Sequence, residues 1–87
     1  MGIMFPNISR SYDAIRHAVR FWGHDTAMEW SFFVTAEALA RMHPSLSPDE
    51  AGMLGAFDSH RDRICAAAAR LYTRGRKGSY ELSAADV

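Results

Sequence analysis

Few side chains in this 87-residue chain have the character to do chemistry. His17, His24, His43, His60 and Cys65 are its soft donors, and metal binding is the first use to test for them. A structural zinc site places ligands in spacings such as CxxC or HxxxH, so that two of them reach one ion from the same turn or helix face. None of the five is spaced that way. His60 and Cys65 are five apart and point in different directions on a helix. No metal and no cofactor is expected. Nucleophilic catalysis finds no set either. Cys65 lies between Ile64 and Ala66, where a thiol acts as a small hydrophobe with a raised pKa. Asp58 and His60 are two apart on one helix and diverge. His24 beside Asp25 fits a turn, and there is no glycine-rich phosphate loop. The chain reads as non-enzymatic, with no catalytic residue to assign.

Charge offers a second kind of site. Arg61, Arg63, Arg70, Arg74, Arg76 and Lys77 stand between His60 and Gly78 against one carboxylate, Asp62. Arg70 and Arg74 are one helical turn apart, and Arg76-Lys77 extends them into a candidate anion or nucleic-acid patch. Tyr72 and Tyr80 are placed to stack on bases. Cations near a helix C-terminus also complement its dipole. Ten basic and ten acidic residues cancel over the whole chain, which weighs against nucleic acid.

These residues belong to the stretch that organises the chain, read as one long amphipathic helix from Ser47 to Gly75. Ser47-Pro48-Asp49-Glu50 supplies a hydroxyl for the N-cap, proline at the first helical position and an acid three residues after the cap. Gly75 supplies the stop. At about 100° per residue, Met53, Leu54, Phe57, Ile64, Ala68 and Leu71 form the buried stripe. Arg61 projects into the same arc. A guanidinium there needs a partner, and Asp13 or Glu29 on the sheet is expected to pair with it, ahead of Asp58 in the helix. The opposite side is a run of small residues, Gly52, Gly55, Ser59, Ala66, Ala69 and Thr73. Each helical glycine costs about 1 kcal/mol relative to alanine, so a break near Gly52-Gly55 or a close contact between two copies is expected there.

The remaining elements must cover the stripe. Residues 1–10 read as an irregular arm whose Ile3, Met4 and Phe5 can dock on the core. Tyr12 to Ile15 fits a short strand or a turn of helix equally. Ala18 to Trp22 and Met28 to Val34 alternate with period two around a turn at Gly23-His24-Asp25-Thr26, which predicts an antiparallel hairpin with one face on the helix. Thr35 caps a short helix, Ala36 to Met42, and His43-Pro44 ends it. Ser79 to Ser83 reads as a last strand, and residues 84–87 as a fraying tail. The fold class is α+β in one domain: a small antiparallel sheet of hairpin and C-terminal strand packed on one long helix, with one short helix.

Composition sets the outer bounds. The 48% apolar and 23% charged content is that of a globular domain, and a pI near 6.9 gives no field to steer nucleic acid or membrane. One cysteine permits no internal disulfide. No run reaches membrane-spanning length, and the first residues do not resemble a signal peptide. A cytoplasmic location is expected.

The residues also carry a family likeness. Ser11-Tyr12-Asp13, Ala18-Val19-Arg20-Phe21-Trp22-Gly23 and Phe33-Val34-Thr35-Ala36-Glu37-Ala38-Leu39 resemble the short bacterial proteins of the domain-of-unknown-function 1488 family. Phe57-Asp58, His60-Arg61, Ile64, Ala66-Ala67-Ala68 and Gly78-Ser79-Tyr80 continue the match over nearly the whole chain. The resemblance implies a small cytoplasmic α+β domain and assigns no activity or site residue. The expectation is a protein-interaction domain whose partner is an unknown protein or a second copy. The alternative is a nucleic-acid-binding accessory protein using the basic end of the long helix.

Overall fold

The computed structural model describes residues 3–6, 8–74 and 79–87, with the side chains of residues 73, 74 and 79 outside that description. The chain runs β1 (Arg10–Asp13), β2 (Ala18–Asp25), β3 (Met28–Thr35), α1 (Ala36–Met42), α2 (Glu50–Ser59), α3 (Arg61–Arg74) and β4 (Ser79–Leu82). This is an α+β fold. Its sheet has the order β1-β2-β3-β4. β2 pairs antiparallel with β1 and β3, while β4 lies parallel to β3. The sheet is therefore mixed, where a wholly antiparallel one was expected. Three helices intervene between β3 and β4, and a connection of that length can return the chain in the same direction.

Period two sorts the strands as expected. Val19, Phe21, Phe32, Val34, Tyr80 and Leu82 face the helices and join Leu39, Met53, Phe57, Ile64 and Ala68 in one core. Phe32 is the hub of the aromatics, stacked on Phe21 at 5.5 Å and on Tyr80 at 5.1 Å. Tyr12 falls in β1, so the ambiguous segment resolves as a strand followed by a turn. Asp13 Oδ1 accepts from the backbone N–H groups of Ile15 and Arg16 in that turn, and His17 closes it at φ 53°.

The hairpin turn lies later than the sequence suggests. β2 continues through Gly23 and His24 to Asp25, and Thr26, at φ 56°, makes the bend. Gly23 serves close approach instead: an added Cβ would lie 2.7 Å from Phe5 Cε2 and 2.8 Å from Ile3 Cδ1. The N-terminal arm thus docks on the core, and Met4 exchanges backbone hydrogen bonds with His24.

The long helical stretch is present, with a joint at His60. There the backbone leaves the helical region (φ −118°, ψ 21°). The His60 N–H is shared between the Ala56 and Phe57 carbonyls, and its own carbonyl starts α3 by accepting from Ile64. The joint lets α2 pack on β1 and β2 while α3 packs on β4, two directions that a twisted sheet separates. Neither glycine breaks the helix. Asp49, not Ser47, is the N-cap, accepting from Gly52 N–H at 2.7 Å. Ser47 folds over the first turn instead: a Cβ on Gly52 would sit 2.1 Å from the Ser47 carbonyl oxygen, whereas one on Gly55 would meet nothing within 4 Å. The expected stop at Gly75 lies outside the described residues. Ser83 and Asp86 form a capping box around a 3-10 turn, Ala84–Asp86.

Candidate functional site

Two places gather side chains capable of recognition. The first is the sheet face that, among the described residues, no helix covers. Residues directly opposite share a face, so Ser11, Arg20, Phe33 and Glu81 form a row across β1 to β4. Trp22 opposite Ser31 forms the adjacent row. Phe33 is buried yet stands apart from the main core, because arginines roof it. The Arg16 guanidinium lies 4.1 Å from the Phe33 ring centre, and that of Arg20 lies 5.7 Å from Phe33 and 5.2 Å from Trp22. Arg20 also donates to Ser31 Oγ at 2.9 Å. Cations within about 6 Å of a ring face are held by its quadrupole, so both guanidinium groups are placed in advance. Carboxylates lie on the same face. Asp13 is 3.7 Å from Arg16, and Glu29 is 3.2 Å from His24.

The second place is the joint between α2 and α3. Arg10 of β1 makes a two-pronged pair with Asp58 of α2, at 2.9 Å through Nε and 2.8 Å through Nη2. That hydrogen bonding holds the Asp58 carboxyl below its usual range, against a smaller opposing effect of burial, and raises Arg10. Beside it, His43 at the end of α1 meets His60, with Nδ1 and Nε2 3.3 Å apart. Ser45 Oγ is 3.5 Å from the far nitrogen of His43. An open depression of about 400 Å³, lined by residues 58–63, includes His60.

A family model for proteins of unknown function, DUF1488, matches residues 3–83. The chain belongs to the DUF1488 family. It is similar to a solved DUF1488 protein of unknown function from Shewanella loihica PV-4. The two are 17% identical, cover 93% of this chain and 91% of that one, and superpose with a TM-score of 0.82. At that identity the likeness concerns the DUF1488 fold alone. Comparison with curated proteins gives no match.

The sites expected from sequence are distributed differently in this DUF1488 chain. A sheet-to-helix ion pair does exist, with its charges exchanged: the strand supplies Arg10 and the helix supplies Asp58. Arg61 is half-buried with its guanidinium 5.4 Å from the Phe57 ring centre. The acids proposed for it, Asp13 and Glu29, contact Arg16 and His24. Of the basic patch, Arg70 is exposed, the side chain of Arg74 is not described, and Arg76 and Lys77 lie outside the described residues. The small-residue seam is divided. Gly52 packs against Ser47, Ala69 packs on the core, Gly55, Ser59 and Ala66 are exposed, and the Thr73 side chain is not described. Cys65 is half-buried, and burial pushes its thiol pKa up. Among the described residues, no three His, Cys, Asp or Glu side chains gather as a metal set, and no helix is long and apolar enough to cross a membrane.

Sequence reasoning missed the His43–His60 contact and the arginine-roofed Phe33. Alternation set Arg20 and Trp22 on one side of β2 and Phe33 on one side of β3, a usable signal, and the register Arg20 opposite Phe33 puts the three on one sheet face. Nothing in the spacing of His43 and His60, 17 residues apart, signalled their meeting.

Proposed function

We propose that this chain is a non-enzymatic protein-interaction domain that works through the helix-free face of its sheet. One observation carries the reading: two arginines are stacked on Phe33 and Trp22 at the centre of a face that, among the described residues, no helix covers. Arginine and tryptophan are enriched where interfaces hold most of their binding energy. A guanidinium already held by a ring and a hydroxyl loses less freedom on docking. The neighbouring Asp13, Glu29 and Glu81 balance the arginines, which favours a protein of mixed charge over a nucleic acid. This face is preferred to the small-residue seam, of which Gly52 and Ala69 are used within the chain while Gly55, Ser59 and Ala66 are exposed.

The test is co-purification of tagged protein from its own cells, with and without nuclease. A protein that survives nuclease, and is lost with Arg20→Glu or Trp22→Ala while the variant stays folded, supports the reading. Nucleic acid in the eluate points to the accessory-protein alternative. A partner retained by both variants rejects this face.

A further inference from the structure

We propose that His43 and His60 form a binding site for one divalent transition ion of the kind that takes imidazole, such as zinc, nickel or copper. The site is independent of the sheet face. It rests first on the spacing of two ring nitrogens from different elements. His43 Nδ1 lies 3.3 Å from His60 Nε2. Two nitrogens bound at about 2.0–2.1 Å to one tetrahedral ion stand about 3.3 Å apart. The rings meet edge to face, at 72° between planes and 5.4 Å between centres. Ligation of one ion requires each ring to turn about its Cβ–Cγ bond, so that the two lone pairs meet beside the line that joins the nitrogens and no longer along it.

The outer contact supports the same use. Ligating histidines hold their far nitrogen on an oxygen, which fixes the tautomer. Ser45 Oγ stands 3.5 Å from His43 Nε2, at the limit of hydrogen bonding. A proton kept on Nε2 for that contact leaves the Nδ1 lone pair facing His60. The backbone supports it as well. His43 caps α1 through its N–H to the Leu39 carbonyl at 2.8 Å, and His60 is fixed at the joint by the hydrogen bonds of both helices. The fold, rather than chance contact of mobile side chains, brings the rings together. The depression lined by residues 58–63 includes His60, so solvent reaches the pair from the His60 side.

In the ion-free pair, His60 Nε2–H donates to His43 Nδ1. On binding, that proton shifts to His60 Nδ1, so both rings stay neutral and both bonding nitrogens present lone pairs. Protons compete with the ion for those lone pairs, so binding weakens as pH falls. Magnesium and calcium, which take oxygen ligands, do not compete.

The tag-free full chain is titrated by calorimetry with zinc, nickel and copper in a buffer that does not bind metals. One ion per chain is expected, with affinity at least tenfold lower in His43→Gln and in His60→Gln. Ser45→Ala gives a smaller drop, while His17→Gln and His24→Gln change nothing. Ring nitrogen-15 shifts of the unmodified protein read the same site without a substitution: His43 Nδ1 and His60 Nε2 move as zinc is added. No saturable binding, unchanged affinity in His60→Gln, or shifts confined to other histidines overturns the proposal.

Discussion

Gly52 and Gly55 stand three residues apart in α2 and should answer alanine with opposite signs. Neither has positive φ, so alanine is conformationally allowed at both and restricts the unfolded chain by the same amount, about 0.5–1 kcal/mol in favour of folding. At Gly55 the new Cβ meets nothing within 4 Å, and the whole gain should appear. At Gly52 it falls 2.1 Å from the Ser47 carbonyl oxygen and 2.6 Å from the Ser47 Cβ. A backbone oxygen cannot rotate aside as a side-chain tip can. Overpacking of this kind costs about 1–3 kcal/mol. If Ser47-Pro48 lifts away, the Asp49 cap on Gly52 N–H is weakened, a further loss of about 1 kcal/mol. Less the backbone gain, Gly52→Ala should lose about 1–3.5 kcal/mol. Urea unfolding followed by tryptophan fluorescence measures both variants, and each kcal/mol corresponds to about 4–8 °C in Tm for a domain of this size. A Gly52→Ala protein as stable as the unmodified one would mean that Ser47 does not lie on the first turn of α2. A Gly55→Ala protein that loses stability and dissociates from a dimer would restore the small-residue seam.

Three further changes test other parts of the molecule. Thr26 is β-branched and bends the hairpin at φ 56°, so Thr26→Gly should raise stability by about 1 kcal/mol despite the loss of its hydroxyl contact to the Asp25 carbonyl; an unfolding midpoint that stays or falls refutes this. The Arg10–Asp58 pair is part exposed, and a double-mutant cycle with Arg10→Gln and Asp58→Asn should give a coupling below about 1 kcal/mol. Because the folded carboxyl is depressed, that contribution is full above the unfolded carboxyl's pKa and is lost as pH falls through the lowered folded value; a coupling that grows toward acid pH contradicts the pairing. Burial raises the Cys65 thiol, so alkylation near neutral pH should be several-fold slower in the native protein than in urea, and equal rates would place the thiol at the surface.

Local patterns made part of this fold readable. Alternation separated Val19 and Phe21 from Arg20 and Trp22 in β2, and Phe32 and Val34 from Glu29, Ser31 and Phe33 in β3, without saying which set is buried. Thr35 was recognised as the cap of α1 because its hydroxyl competes for the Ala38 N–H within three residues. What escaped was set by distant parts of the chain. Strand β1 has only four residues, and its partner β2 decides that it is a strand. The direction of β4 depends on the path of three helices. Ser47 and Asp49 are both good caps by type, and the close approach of Ser47 to Gly52 leaves the role to Asp49. The joint at His60 carries no glycine or proline, and the different courses of α2 and α3 over the sheet place it. Of the candidate sites, the sheet face was half visible through its alternation. The histidine pair was invisible because its two members belong to different elements.

The parallel pairing of β4 has a consequence for the order in which the molecule assembles. β1, β2 and β3 close through short turns and can associate as soon as they are made. Ser31 to Val34, by contrast, pair with Ser79 to Leu82, across all three helices. Loop closure over such a span must precede any reward from contact. Until then one ring face of Phe32 lacks Tyr80, and the β3 edge is an open template for other strands. The interval before the final strand arrives is thus when this chain is most exposed to aggregation, and conditions that delay that step should harm the yield of folded protein more than its stability once folded.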